Sequence, residues 1–416
     1  MNFSDKTERA NFRRHLLDGA FYISSWAFLS AQTMFPALLT RMGGGNIAVG
    51  ALPVIVYFAF FFPQVIAANY IGLMPVRKRW VVRLGLIQRI HIAALAAVVA
   101  IFGAWQSQVG LVLFFMVYLS NQVAAGLVSP AWYDFVAKTV SPNLRGRLMG
   151  LRTSAGAGLG FLNGILLTAL LTLLPYPHNY ASVIALGFCW QMASWFVQRR
   201  VEERHPSARS VPDSLPNLMS RISGILRRDR LFVRFLVASS LLTVSFTSVA
   251  FFTVFAMQQF NLTESYIGLF TTLTLGAQVI SGAALGWIAD RHGTTVSLRL
   301  CALALLFAII LALVGRSVLA VYGMFLLVGI NLGAELITRY NFAVECAAET
   351  DRPMYVGLMN AWFAPLYLFS ILAGALSNVW GYKTVFAGDL VLACLGMVLL
   401  LRLQDPRKRQ LALSSK

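Results

Sequence analysis

The sequence predicts an all-α integral membrane protein. Twelve transmembrane helices form two pseudo-symmetric six-helix bundles, with both termini cytoplasmic. Three observations predict this. The 416 residues are 58% hydrophobic and only 12% charged, against about 25% charged in soluble proteins. So little charge cannot cover a water-soluble body of this size, which excludes an ordinary soluble enzyme, a nucleic-acid-binding protein and a disordered chain. Twelve apolar runs can be found, each long enough for a span of about 20 residues. Finally, Tyr133-Asp134-Phe135, Arg145 and Gly150-Leu151 recur as Tyr340-Asn341-Phe342, Arg352 and Gly357-Leu358, all displaced by 207 positions. Both copies fall at the end of the fourth span of a half.

The runs cover 16–40, 47–71, 80–103, 109–133, 148–174 and 180–198, then 231–257, 266–289, 296–314, 318–343, 354–379 and 384–402. The first is too long and too polar for a cleaved leader. The expected organisation is a bundle over 1–198, a cytoplasmic linker over 199–230, a second bundle over 231–403 and a basic cytoplasmic tail over 404–416. The linker carries Pro206, Pro212 and Pro216, with an interfacial helix expected over Leu218–Leu226.

The net charge is +18, from 34 Lys+Arg against 16 Asp+Glu. All but four of the basic residues fall in the termini, the linker and alternate loops or their edges. The exceptions are Arg41, Arg316 and Lys383 in the other loops, and Arg89 inside a span. Such a bias puts the termini and the linker in the cytoplasm. With arginine in excess of lysine and short loops, it points to a bacterial inner membrane. No nucleic acid is implied as partner.

The eighth-to-ninth loop reads Gly286-Trp287-Ile288-Ala289-Asp290-Arg291-His292-Gly293. This resembles the loop motif of the major facilitator superfamily, although Thr294-Thr295 stand where a basic pair is usual. The second-to-third loop, Gly72 to Arg79, resembles a decayed copy in which Val76 replaces the acid. The resemblance covers about residues 15–403. It implies a secondary transporter working by alternating access, as a monomer, with spans one, four, seven and ten lining a cavity. It also implies that spans two and eleven, and five and eight, pack between halves. Gly156, Gly160 and Gly164 in span five, and Gly282 and Gly286 in span eight, fit close helix approach. Span five lacks the Gly-Pro motif of drug–proton antiporters.

Ionisable groups inside a membrane are costly and invite a functional reading. Glu335, in span ten, is the expected proton-coupling or substrate-contacting acid, with Arg339 one turn on. The family pattern offers Arg339 a second partner, Asp290, so Arg339 is expected to exchange between the two acids. Gly286, Asp290, Arg291 and Gly293 form the expected conformational latch, with an Arg77–Asp134 contact as its counterpart in the first half. Arg89 is expected to pair with Asp18 or Asp134. His91 is expected to be a packing residue, and Asp18 and Asp389 to be interfacial.

Gln32, Asn121, Gln122 and Asn331 lie on expected cavity helices and are candidate substrate contacts beside Glu335. Cys189, Cys301, Cys346 and Cys394 have no metal or disulfide spacing and are expected to be small buried hydrophobes. No nucleotide-binding loop, metal cage or catalytic set is found, so no cofactor is expected. The expected function is proton-coupled movement of a small organic solute, with export of amphipathic compounds favoured. A cavity denser in Asn, Gln and Arg would favour nutrient uptake instead. A transport-inactive sensor or assembly factor on the same fold is the third reading.

Overall fold

The computed structural model describes residues 5–105, 108–204, 215–348 and 351–407. Seventeen α-helices run through them: α1 (Lys6–Ser24), α2 (Met34–Arg41), α3 (Asn46–Pro53), α4 (Ala59–Tyr70), α5 (Arg77–Phe102), α6 (Gln108–Thr139), α7 (Pro142–Leu173), α8 (His178–Gln198) and α9 (Leu215–Arg228) precede α10 (Arg230–Ser245), α11 (Val249–Phe260), α12 (Ser265–His292), α13 (Thr294–Val314), α14 (Val318–Cys346), α15 (Arg352–Phe363), α16 (Phe369–Trp380) and α17 (Tyr382–Leu401). Helix is the open-ended structure a bilayer tolerates, because it satisfies its backbone internally. Among the described residues, eleven helical segments are long and apolar enough to cross a membrane.

The expected first span is not among the eleven. It is split into α1 and α2. A 3₁₀ turn over Ser25–Ala27 and further turns separate them. The Ser24 and Ser25 hydroxyls donate to the carbonyls of Phe21 and Tyr22, a local bond that competes with the helical ladder. The first half of α1 is also studded with charge, from Lys6 to Arg14. Its N-cap is Asp5, which accepts from the Glu8 amide and whose carboxyl is held below the ordinary aspartate range chiefly by that bond. Span seven carries a milder break: it runs through as one segment, Arg230–Phe260, with a 3₁₀ turn over Phe246–Ser248 joining α10 to α11.

The burial pattern is inverted relative to a soluble protein. Large apolar side chains such as Ile101, Val112, Met116, Leu162, Ile280 and Val391 are exposed, while polar groups such as Asp18, Arg89 and Asn331 are buried. A lipid-facing surface explains this. It also corrects the cysteines: Cys301 is buried, but Cys189 and Cys394 lie on the outer surface. The linker residues 205–214 fall outside the described residues. The helix expected over Leu218–Leu226 is observed as α9.

The chain divides into two compact units. The first holds 1–45, 55–212 and 263–272, and the second holds 46–54, 213–262 and 273–416. In the first, α5 packs on α6 and α8, and α1 on α7 and α8. In the second, α17 packs on α10 and α13, α13 on α14, and α3 on α16. Each unit thus takes a short stretch from the other half of the sequence. Asn46–Val54, at the start of span two, joins the second unit. There the backbone of Gly50 lies against Ser370, and Asn46 accepts from the Tyr382 hydroxyl at 2.5 Å.

Candidate substrate and coupling sites

The loop motif sits between α12 and α13 in the second unit. Gly293 has φ +98°, a left-handed conformation that closes the turn and suits glycine. The Asp405 carboxylate fills the space a side chain there would need. Thr294 and Thr295 have a use of their own. Thr294 Oγ1 donates to Glu345 at 2.8 Å, and Thr295 Oγ1 donates to Asp405 at 3.2 Å. Arg407 donates to the same Glu345 at 2.7 Å and to the Asp290 carbonyl at 2.9 Å. The Glu345 bond raises the Arg407 guanidinium above the ordinary arginine range. The Asp290 side chain is exposed, and Arg291 lies over the Trp287 ring at 5.4 Å.

Glu335 and Arg339 are one turn apart on α14 and form an ion pair at 2.5 Å. Arg339 is buried, with its guanidinium 4.8 Å from the Phe363 ring centroid. The anticipated Asp290–Arg339 contact is not formed. The loop acid faces solvent, and Arg339 is committed to Glu335. Asn331 is one turn from Glu335, but its amide donates to the Cys301 carbonyl at 3.0 Å, bracing α14 against α13.

In the first unit, Arg77 Nε donates to Asp134 at 2.7 Å. Around this pair lies a larger cluster. Lys138 is 3.8 Å from Asp134 and 3.0 Å from Glu203. Glu203 stands just beyond α8 with its side chain buried, and it also accepts the Arg77 and Lys78 amides at 3.1 and 2.7 Å. It therefore caps α5, where the helix dipole favours a negative charge. Glu202 and Asn11 exchange hydrogen bonds beside it.

Deeper in the same unit, Asp18 is 1% exposed, not interfacial as anticipated. Ser194 donates to it at 2.6 Å, and Arg152 lies at 3.6 Å. Arg89 donates to Ser194 Oγ at 2.9 Å, so the expected Arg89–Asp18 partnership runs through a hydroxyl. Its other donors go to the Gln191 and Gly85 carbonyls at 2.7 Å each. Arg152 lies on the Trp132 ring at 4.4 Å. Gly19 makes room for that guanidinium; a methyl there would meet it.

A cavity of about 70 Å³ opens beside this cluster. Its walls include Tyr22, Trp26, Phe35, Gln88, His91, Tyr118, Asn121, Gln122 and Gln191. The volume suits a few waters or one polar edge of a solute. Gln88 donates to the Tyr22 hydroxyl at 3.0 Å, Asn121 to the Gln88 carbonyl at 2.7 Å and Gln122 to the Tyr118 hydroxyl at 3.3 Å. His91 Nδ1 bonds the Ile87 carbonyl of its own helix at 2.7 Å. Gln191 donates to Ser25 at 3.2 Å, while its buried carbonyl oxygen has no hydrogen-bond partner.

Residues 233–416 match the family described as Major Facilitator Superfamily. The minor myo-inositol transporter IolF of Bacillus subtilis (strain 168) is 29% identical over 151 residues, which cover 35% of this chain and 34% of that protein. The match thus spans about a third of that relative's length. The solved structure of a mutant nucleoside transporter NupG is 10% identical, with 94% of this chain and 99% of that one covered and a TM-score of 0.74. An inward-facing bacterial homologue of the iron transporter ferroportin is 20% identical, with coverages of 96% and 99% and a TM-score of 0.67. These likenesses concern the fold.

The sequence pointed to Asn121 and Gln122, and both line the cavity. Gln32 lies in the turn between α1 and α2, outside that lining. Gln88, His91 and Gln191 were not among the expected contacts, because they sit on spans three and six, outside the four that the resemblance has lining the cavity. Glu203 was missed because an acid in a basic linker carries no pattern saying it folds back. The span-five glycines divide their roles. Gly156 faces Ile23 of α1, whereas Gly164 meets Thr272 and Gly268 meets Thr168, so α7 and α12 approach closely through Gly164 and Gly268. Gly282 meets Gly333, and Gly286 has nothing near it.

Proposed function

We propose that the chain is a proton-coupled secondary transporter of the bacterial inner membrane, a monomer with both termini cytoplasmic, taking up a small hydroxylated solute. The split α1–α2 segment would be its twelfth span. The observation that carries this reading is the cavity lining. Four amide side chains, two phenols and an imidazole face a space without a charged side chain in its wall. Such groups replace the water around hydroxyls, and stripping hydroxyls without partners costs several kcal/mol. The partial likeness to a myo-inositol transporter supports the same class of solute.

Glu335 would carry the coupling proton, with Arg339 as its exchange partner. Gly286, Asp290, Arg291 and Gly293 would form one latch, with Arg77 and Asp134 the other. Tyr22, Trp26, Phe35 and Tyr118 in the lining favour the second reading, export of an amphipathic compound with an aromatic ring.

Thermal shift of the purified protein against polyols, sugars and amphipathic cations separates the two. A ligand at 100 times its dissociation constant stabilises by about 2.7 kcal/mol. Stabilisation is expected from a polyol or sugar, and Gln122→Leu should weaken binding about tenfold, the worth of one hydrogen bond. Stabilisation by amphipathic cations alone, indifferent to Gln122, would overturn the uptake reading.

A further inference from the structure

Asp389 lies on α17 and is buried, not interfacial as the sequence suggested. It holds the break in span seven. The Ser248 hydroxyl donates to its carboxylate, and the Ser245 hydroxyl donates to its backbone carbonyl at 2.8 Å. Ser245 immediately precedes the 3₁₀ turn Phe246–Ser248, and Ser248 is its last residue. The break in span one is held in a similar way from α8, by Gln191 on Ser25. An amide performs the task in one unit and a carboxyl in the other, and only the carboxyl can take up a proton.

Among the described residues, the helices packed on α17 bring no counter-charge to Asp389. Helix α17 packs on α10, α13 and α16. On α10, Arg230 and Arg234 lie at the end remote from Ser245. On α13, Arg299 is engaged with the Leu400, Leu401 and Leu403 carbonyls, at least eleven residues beyond Asp389, or about 16 Å along a helix. Cys301 is the remaining titratable group there. Helix α16 carries no charge. On α17 itself, Lys383 is exposed, and the Tyr382 hydroxyl is bonded to Asn46. Among the described residues no cation pairs with Asp389.

We propose that Asp389 is a second proton-binding site, whose occupancy sets the geometry of the span-seven break through Ser248. With the proton, the carboxyl both donates and accepts at Ser248. Without it, the group only accepts and stands as a lone charge in a dry site. Proton binding is thereby converted into a change at a helix break, where 3₁₀ segments commonly act as hinges. This rests on the proton-coupled reading above but names a different carboxyl in a different place.

Amide hydrogen exchange of the full chain in nanodiscs tests it, corrected for intrinsic exchange and compared between about pH 5 and about pH 8. In the wild type, protection over residues 245–250 is expected to change about tenfold. Asp389→Asn keeps the hydrogen bond and should flatten that change, Ser248→Ala should reduce it, and Glu335→Gln should leave it intact. A pH-independent wild type overturns the proposal, as does a change that survives Asp389→Asn. If Glu335→Gln alone flattens it, Asp389 is not the site while the transport reading stands.

Discussion

Asp18→Ala is expected to lower the amount of folded protein in the membrane several-fold. Asp18 is the acid beside two buried guanidiniums, Arg152 directly and Arg89 through Ser194. Deleting it leaves both cations uncompensated in a dry interior. Removing one partner of a buried ion pair costs about 3–5 kcal/mol, a large share of the roughly 5–15 kcal/mol a protein has. Asp18→Asn retains a partner for Ser194 and should lose less. Adding Arg152→Leu to Asp18→Ala should recover part of the loss, because Arg89 keeps its two carbonyl partners. Fluorescence-detected size exclusion of tagged variants measures all three. An Asp18→Ala protein as abundant and monodisperse as the wild type would show that the cluster is solvated or otherwise neutralised.

Glu203→Ala is expected to destabilise the first unit by about 3 kcal/mol, since it orphans two α5 amides and takes from Lys138 the nearer of its two acids. The cluster makes a sharper prediction through charge reversal. Exchanging the partners, Lys138→Glu with Glu203→Lys, restores an ion pair but leaves α5 uncapped, because a lysine donates and cannot accept from the Arg77 and Lys78 amides. The double variant should therefore recover only part of the loss. The equivalent pair in the second unit, Glu345–Arg407, is more exposed. Glu345→Ala should accordingly cost less, because solvent screens such pairs. Full rescue by the exchange would mean that the ion pair, and not the cap, carries the stabilisation.

Spans were legible because hydropathy over 20 residues is set by the bilayer, whatever the neighbours. The breaks were not. The run through Ser24, Ser25 and Ser30 stays apolar enough to look continuous, and the serine-to-carbonyl bonds that end α1 leave no hydropathic trace. The Arg77–Asp134 pair was readable because Val76 had lost the loop acid, which left the basic loop in want of one. Asn331 shows the limit for a single polar residue. Sequence places it on a helix but not on a face, and its amide serves α13. Asp18 and Asp389 were misplaced for a related reason. Distance from a span's end suggested water, whereas serines on neighbouring helices, Ser194 and Ser248, supply the polar contact. The threonines of the loop motif, a departure from the family pattern, became intelligible only when Glu345 and Asp405 were found opposite them.

The proposed function is movement of a hydroxylated solute through the amide-lined cavity, driven by protons. Proteoliposomes holding the purified chain test it directly. Uptake of labelled polyols and sugars would be measured with and without an inward proton gradient, for the wild type and Glu335→Gln. Saturable uptake of at least one such solute is expected, faster with the gradient, and gradient-independent in Glu335→Gln. Flux confined to amphipathic cations, or binding of a polyol with no flux under any gradient, would contradict it. The first would favour an exporter and the second a transport-inactive protein on the same fold.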